Sequence, residues 1–202
     1  SLARPLSSLP LVQFVPRVSR TLQAPRHLAE LCDAFDRIRA GEEVRLLVSV
    51  PPQHGKTFTI LHGLAQLLTV RPNRTNAYIS YAADYAHSRS KLCRDYARTC
   101  NVALRDDSNA VHEWRTTAGG GLLATGVGGP LTGQGIDGVL VVDDPYKNRK
   151  EADSAHQRGM VRDWWTSAAL TRLHPRASIV VCHTRWHPDD LIGWLSKAEP
   201  DD

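Results

Sequence analysis

The 202-residue sequence has no long apolar run. No stretch approaches the roughly 20 consecutive apolar residues that a membrane-spanning helix requires. The four cysteines are widely spaced, no C-x-x-C pair occurs, and no secretory leader precedes them. These absences disfavour a membrane protein, a disulfide framework and a cysteine-based zinc site. We therefore expect a soluble protein of a reducing cytoplasm, without membrane contact.

The sequence also lacks a strong charge of either sign. Lys and Arg number 25 against 21 Asp and Glu, which leaves a formal charge of +4. Contact with a polyanion such as DNA is compatible with this balance, but the basic residues are scattered and do not identify such a partner by themselves. The sequence has no initiating Met and ends directly after a helix-like stretch, so we expect a piece of a longer polypeptide.

Short apolar runs alternate with longer amphipathic segments along the chain. Runs at 44–50, 139–142 and 177–182 predict buried strands, and the segments between them show helical periodicity. This alternation predicts the α/β class, with a mostly parallel sheet covered by helices on both faces. Residues 1–26 are rich in Pro and Ser and lack periodicity. They predict an extended N-terminal arm lying over a single domain at 27–202.

A candidate phosphate-binding loop lies between a predicted strand and a predicted helix. Its sequence is V-P-P-Q-H-G-K-T, at residues 50–57. The free N–H groups and the positive dipole end of a helix N-terminus bind phosphates. In this loop Gly55 permits close approach of the backbone to a phosphate, Lys56 can reach the terminal phosphates, and the Thr57 hydroxyl can ligate Mg²⁺. Val50 stands where the usual pattern has glycine. The predicted nucleotide-binding residues are Pro52, Gln53, His54, Gly55, Lys56 and Thr57.

Two carboxylates follow an apolar strand about ninety residues further on. Asp143 and Asp144 end the run V-L-V-V, and burying ionised carboxylates there is unfavourable unless a cation or hydrogen bonds compensate. Successive strand residues point to opposite faces, so the two should have different roles. We predict that Asp143 binds Mg²⁺ and that Asp144 orients the attacking water. The structural alternative is an Asp-Asp-Pro turn that caps the next segment.

With both motifs placed, residues 27–195 resemble the ATPase domain of the large terminase subunit of tailed bacteriophages. The resemblance is carried by P-P-Q-H-G-K-T (51–57), I-S-Y (79–81), G-G-P-L-T-G-Q-G (128–135), D-D-P (143–145) and T-R-W-H-P-D-D-L (184–191). It implies a P-loop NTPase fold of the ASCE, or RecA-like, type. In that family a Thr-bearing segment after the strand that follows the acidic pair couples hydrolysis to domain movement, and Thr184 matches that place.

The resemblance also implies a function and partners. It implies Mg²⁺-dependent ATP hydrolysis that drives double-stranded DNA through the portal protein into a procapsid, in the host cell cytoplasm. It further implies a homo-oligomeric ring, most often of five subunits, and cooperation with a small terminase subunit. We expect the isolated domain to be monomeric. Relatives carry a C-terminal nuclease domain, and we expect this chain to be the motor half alone, without cutting activity.

The sequence departs from the family in two respects. Many relatives carry an Arg in the Gly-rich stretch before the acidic strand, where this chain has Thr132 and Gln134. Because an arginine finger contributes strongly to phosphoryl transfer, another source is needed, and Arg172 and Arg185 are the candidates. The adenine-recognising Gln ahead of the phosphate loop is not obvious either. His27 or Gln13 could take that role.

Several alternatives remain open at the level of sequence. His183 and His187 have a spacing that would suit a metal on a helix, although Pro188 argues for a loop. The Trp164–Trp165 pair could stack on DNA bases or pack into the core. The main rival function is a helicase-like or remodelling ATPase. A small-molecule kinase is disfavoured because no acceptor lid is evident, and a DNA-binding or assembly module without hydrolysis remains possible because Val50 makes the loop atypical.

Overall fold

A computed structural model describes residues 5–131 and 135–198, which form one seven-stranded sheet and the helices around it. The strands are β1 (Arg45–Ser49), β2 (Thr75–Ser80), β3 (Leu104–Asn109), β4 (Glu113–Thr116), β5 (Gly121–Gly126), β6 (Val139–Asp143) and β7 (Ser178–His183). The α-helices are α1 (Leu11–Val18), α2 (Ala29–Ala40), α3 (Lys56–Val70), α4 (Ala83–Thr99), α5 (Arg149–Asp153), α6 (Ala155–Trp164) and α7 (Leu191–Ala198).

The strand order in the sheet is β1-β7-β6-β2-β5-β4-β3. The first five strands in this order are mutually parallel, and β4 and β3 extend the sheet in antiparallel pairing. Strand β7 therefore lies between β1, which precedes the phosphate loop, and β6, which ends in the acidic pair. The predicted α/β class with a mostly parallel sheet is confirmed.

Helices cover both faces of the sheet. Helices α1 to α4 pack on one face and α5 to α7 on the other, each over its own apolar cluster. Strand β6 contributes side chains to both apolar clusters. Val139 and Val141 belong to the cluster under α1 to α4, and Leu140 and Val142 belong to the cluster under α5 to α7. Because both faces are buried, the strand cannot alternate apolar with polar residues.

The N-terminal segment differs from the predicted extended arm. It contains helix α1, whose Leu11 and Phe14 are fully buried in the same cluster as α2 and α3. The backbone N–H of Leu11 donates to the Asp36 carboxylate of α2 (3.0 Å), and the side-chain amide of Gln66 in α3 donates to the Leu9 carbonyl (2.7 Å). The helix has only eight residues and contains Pro16, so its periodicity is too short to detect from sequence. Tertiary packing stabilises it.

Two strands also differ from expectation. The run at 44–50 predicts a buried strand, but β1 is an edge strand, and Leu47 is 39% exposed. An apolar run alone cannot distinguish an edge position from a central one, because that depends on which strand pairs on each side. Strand β3 was not predicted because its sequence, L-R-D-D-S-N, is polar, as is common at sheet edges.

No helix within residues 5–131 and 135–198 is both long and apolar enough to cross a membrane.

Candidate active site at the carboxyl edge of the sheet

The phosphate loop runs from the end of β1 to the start of α3 at the carboxyl edge of the parallel strands. Two residues in it have positive φ: Gln53 at 61° and Gly55 at 84°. Gly55 caps α3, so Lys56 and Thr57 occupy the first turn, where backbone N–H groups have no helical acceptor. Strands β6 and β7 end at the same edge, which brings the acidic pair and Thr184 to this loop. The fold thus brings Lys56, Thr57, Asp143, Asp144 and Thr184 together.

Lys56 and Asp144 form an ion pair in this site. The Lys56 Nζ atom lies 2.6 Å from Asp144 Oδ2, and the two side chains are 6% and 26% exposed. Burial on its own lowers the pKa of the Lys56 ammonium, but the hydrogen bond and charge of Asp144, together with the charge of Asp143, outweigh it. The net effect raises the pKa above its ordinary value. The Asp144 contact thus favours the charged form of Lys56 despite its burial.

Asp143 is fully buried beside the phosphate loop. Its Oδ2 atom accepts from the hydroxyls of Thr57 (2.6 Å) and Tyr78 (2.7 Å), whereas its Oδ1 atom is buried with no hydrogen-bond partner. Burial, and next the charge of Asp144, raise the pKa of Asp143 to about 6, against the lowering effects of Thr57, Lys56 and Tyr78. An ionised carboxylate in such a place needs a further positive partner.

The donor set of Thr57 and Asp143 fits Mg²⁺. This ion is usually bound through one or two protein oxygens, with water and substrate phosphates completing its octahedron. The unpartnered Oδ1 atom of Asp143 supplies a free carboxylate oxygen, and the Thr57 hydroxyl lies beside the same carboxylate. The described part of the chain contains no cluster of three or more His, Cys, Asp or Glu side chains suited to a metal. Thr57 and Asp143 supply two oxygens, and water and phosphate oxygens would complete the coordination of a Mg²⁺ ion.

The backbone of Asp144 explains how two consecutive aspartates serve one site. Strand β6 ends at Asp143, and Asp144 has a φ of 50°, in the left-handed region that non-glycine residues rarely adopt. This turn directs the Asp144 carboxylate towards Lys56. Regular strand alternation would have sent it to the opposite face. Such strained residues cost about 1–3 kcal/mol and concentrate at functional sites.

Thr184 connects the end of β7 to both halves of the site. Its backbone N–H donates to Asp144 Oδ1 (3.3 Å), and its hydroxyl donates to the carbonyl of Val50 at the start of the phosphate loop (3.1 Å). Thr184 therefore contacts both the acidic pair and the phosphate loop. The geometry is compatible with the predicted coupling role.

The loop after Thr184 is organised by a buried carboxylate that the sequence analysis missed. Asp190 is fully buried, accepts from the backbone N–H of Gly193 (3.1 Å) and so caps α7. It also pairs with the Arg185 guanidinium at 2.8 Å. The signal that could have revealed it is an Asp directly before an apolar helical segment, which is a favoured N-cap position.

Neither candidate for the arginine finger lies in the phosphate site. Arg172 is exposed and lines a different cavity together with Asp137 and His174, and its carbonyl accepts from the Ile136 N–H at the end where β6 begins. Arg185 is engaged by Asp190, as described above. Its guanidinium therefore has a structural partner already. The Gly-rich positions Thr132 and Gln134 lie outside the described residues.

The two candidates for adenine recognition are placed differently. The His27 ring nitrogen Nε2 lies 3.0 Å from the carbonyl oxygen of His54, so His27 contacts the phosphate loop. Gln13 lies on the exposed side of α1 and does not line the cavity beside the loop. Of the two, only His27 contacts the phosphate loop, and neither lines the cavity beside it.

The remaining alternatives are structural features. The buried ring of His183 hydrogen-bonds to the Thr184 carbonyl (2.8 Å) and to the Ile192 N–H (3.3 Å), so it is not free to share a metal with His187.

Trp164 and Trp165 are both buried, with their ring centroids 6.4 Å apart. They belong to the core beneath α6, and neither presents a face to DNA.

A cavity of about 240 Å³ lies between the phosphate loop and α4. Its lining comprises Pro52, Gln53, Gly55, Lys56, Thr57, Phe58, Tyr85, Arg89 and Asp144. Tyr78 of β2 and Tyr85 and Arg89 of α4 were not predicted as part of the site. A tyrosine inside a buried strand is a usable signal, because its hydroxyl requires a partner.

The chain is similar to a known protein family and to a solved structure. A family model described as "Terminase large subunit, T4likevirus-type, N-terminal" matches residues 47–200. The crystal structure of the HK97 bacteriophage large terminase is similar at 15% sequence identity and a TM-score of 0.60, over 94% of this chain and 40% of that one. The chain thus spans less than half the length of that protein, and at this identity the likeness shows the fold alone. A comparison with curated proteins finds no match.

Proposed function

The chain belongs to the large terminase subunit family, and from this premise we propose that it hydrolyses ATP with Mg²⁺ to drive double-stranded DNA into a viral procapsid. The observation that carries the proposal is the pairing of two elements at one sheet edge. The Lys56 ammonium lies 2.6 Å from Asp144, and the Thr57 hydroxyl lies 2.6 Å from Asp143. Phosphoryl transfer depends mainly on positioning and charge neutralisation, which these four side chains supply.

The proposed binding step uses the first turn of α3. Backbone N–H groups of residues 53–57 bind the phosphates, and Lys56 exchanges its contact with Asp144 for the terminal phosphates. Thr57 and the unpartnered oxygen of Asp143 would hold a Mg²⁺ ion, which would neutralise phosphate charge. Pro52, Gln53, His54 and Gly55 shape the loop.

The proposed hydrolytic step uses Asp144. Once Lys56 contacts phosphate, Asp144 Oδ2 is released to accept a hydrogen bond from the attacking water. Its other oxygen still accepts from the Thr184 N–H, so Asp144 stays oriented. Because the Thr184 hydroxyl also donates to the Val50 carbonyl, Thr184 is hydrogen-bonded to both the water-orienting group and the phosphate loop. We assign to it the coupling of hydrolysis to movement.

The proposed partners follow from the family. They are double-stranded DNA, the portal protein, the small terminase subunit and further copies of this chain in a ring of five, acting on the procapsid in the host cytoplasm. The isolated domain is expected to be monomeric. Neighbouring copies in the ring are expected to increase its turnover.

The test is Mg²⁺-dependent phosphate release from ATP, measured with and without DNA and across protein concentrations. Lys56→Ala should abolish turnover and nucleotide binding, whereas Asp144→Asn should bind nucleotide but lose hydrolysis. Lys91→Ala is the matched control, because Lys91 is an exposed lysine on α4 outside the cavity. If Lys56→Ala binds and hydrolyses ATP as Lys91→Ala does, the proposed function is wrong. Normal turnover by Asp144→Asn would refute the water-orienting role alone.

A further inference from the structure

Arg89 lies in the same cavity as the phosphate loop. Helix α4 begins after β2 and contributes two lining residues, Tyr85 and Arg89, opposite Lys56 and Thr57. The two are four residues apart, so they occupy one face of α4 on successive turns. The cavity that would hold phosphates therefore has an arginine on its α4 side that no motif of the sequence identifies.

Tyr85 fixes the position of this arginine. The Arg89 Cζ atom lies 4.6 Å from the Tyr85 ring centroid, and the Tyr81 ring packs 5.1 Å from the Tyr85 ring. A guanidinium above an aromatic face is attracted to the ring and loses rotational freedom. The side chain is thus oriented before any ligand arrives, which lowers the entropic cost of binding.

The Nε–H group of Arg89 has no acceptor among the described residues. Its Nε atom is buried without a hydrogen-bond partner, and no carboxylate within residues 5–131 and 135–198 forms an ion pair with it. Leaving a buried N–H of a charged group unpaired is costly, so such a group requires an explanation. Lys56 in the same cavity differs, because it is already neutralised by Asp144. Arg89 is the cavity cation that lacks an anionic partner.

We infer that Arg89 is a phosphate ligand supplied by the same chain, which binds the terminal phosphates of a nucleoside triphosphate from the α4 side while Lys56 binds them from the loop side. Phosphate oxygens satisfy the fork of N–H donors of an arginine, often in a bidentate manner. This inference rests on the proposed function. Arg89 differs from Arg172 and Arg185 in that it lines this cavity of its own chain.

The inference predicts a specific dependence on the length of the phosphate chain. Arg89→Gln should weaken ATP binding by about 10- to 100-fold, as expected for a lost charge-assisted contact, and should leave AMP binding unchanged. Turnover should fall by a larger factor than binding, because arginine contacts strengthen in the transition state. Arg89→Lys should recover part of the binding and little of the turnover, because a lysine keeps the charge but not the fork.

The experiment compares ATP, ADP and AMP affinities by calorimetry and measures ATP turnover for each variant. Arg98→Gln is the matched control, since Arg98 is an exposed arginine of α4 that contacts Asp95 and Asn109 away from the cavity. Tyr85→Leu removes the ring but keeps the arginine, and a smaller, ATP-selective loss is expected. This second variant provides the test if Arg89→Gln fails to fold.

The outcomes separate the inference from the proposed function. If Lys56→Ala loses ATP binding while Arg89→Gln matches Arg98→Gln, the role of Arg89 is refuted and the ATPase proposal stands. If Arg89→Gln weakens ATP, ADP and AMP equally, Arg89 shapes the cavity without binding phosphate, and the inference is again refuted. If Lys56→Ala binds ATP normally, the proposed function itself fails.

Discussion

Asp143→Asn should stabilise the folded protein at neutral pH while removing the proposed Mg²⁺ ligand. Burial raises the pKa of Asp143 from 3.8 to about 6, so the folded state holds a proton more tightly than the unfolded state does. At about 1.4 kcal/mol per pKa unit, keeping this carboxylate ionised at pH 7.5 costs roughly 3 kcal/mol. The isosteric amide removes that cost. Its oxygen can still accept from Thr57 and Tyr78, but its N–H groups gain no acceptor.

The expected net gain is therefore about 1–3 kcal/mol in the free energy of unfolding at pH 7.5, or roughly 3–10 °C in Tm. The sign of the pH dependence follows from the raised pKa. Above pH 6 the ionised Asp143 destabilises the fold, and this destabilisation is relieved as the pH falls from about 6 towards 4. The difference between the variant and the parent protein should consequently shrink between pH 7.5 and pH 5.

The assay is urea denaturation at both pH values, followed by circular dichroism. Asp189→Asn is a suitable control, since the Lys197 contact lowers the pKa of that exposed carboxyl, and no gain in stability is expected. Addition of Mg²⁺ and ATP should stabilise the parent protein but not Asp143→Asn. A variant that is less stable than the parent at pH 7.5, or whose advantage is the same at both pH values, would refute the reasoning.

Three further predictions concern the fold around the site. Phe14→Ala should lower the free energy of unfolding by about 3–5 kcal/mol in urea denaturation, because α1 is part of the core; a loss below about 1 kcal/mol would restore the extended-arm description. Asp190→Ala should lower the free energy of unfolding by about 3–5 kcal/mol, because Arg185 and the N-terminus of α7 lose a fully buried carboxylate. An unchanged Tm in thermal melting would contradict this. Gly63→Ala should destabilise by about 1–3 kcal/mol, since the added Cβ would lie 2.5 Å from the Phe35 ring, and an increase in Tm would show that the ring can move.

Much of the site was predictable because phosphate and metal chemistry restricts the residue types. A Gly-Lys-Thr after one strand and an Asp pair after another indicated a nucleotide and Mg²⁺, and the fold brings Lys56, Thr57, Asp143 and Asp144 together. The assignment of different roles to the two aspartates rested on strand alternation. In the structure the left-handed turn at Asp144 instead brings both carboxylates to the phosphate loop, Asp144 to Lys56 and Asp143 to Thr57.

Other parts of the site were not predictable because they depend on which elements become neighbours. Arg172 and Arg185 had equal claims in the sequence as candidates for an arginine finger. Only the folded chain shows that Arg172 lies near the amino end of β6, away from the phosphate loop, and that Arg185 pairs with Asp190. It also shows that Arg89 lines the cavity beside the phosphate loop. The site that an arginine side chain reaches depends on where the fold places its backbone. The local spacing of residues in the sequence does not contain that information.

The sequence by itself determined the α/β class, the phosphate loop and the acidic pair, because hydrophobic periodicity and the chemistry of phosphate are local properties. The tertiary structure decided that β1 lies at an edge, that α1 joins the core, and that α4 supplies an arginine to the site. Each of these results from the pairing order of strands and the packing of helices, which are long-range free-energy balances that no short window of sequence contains.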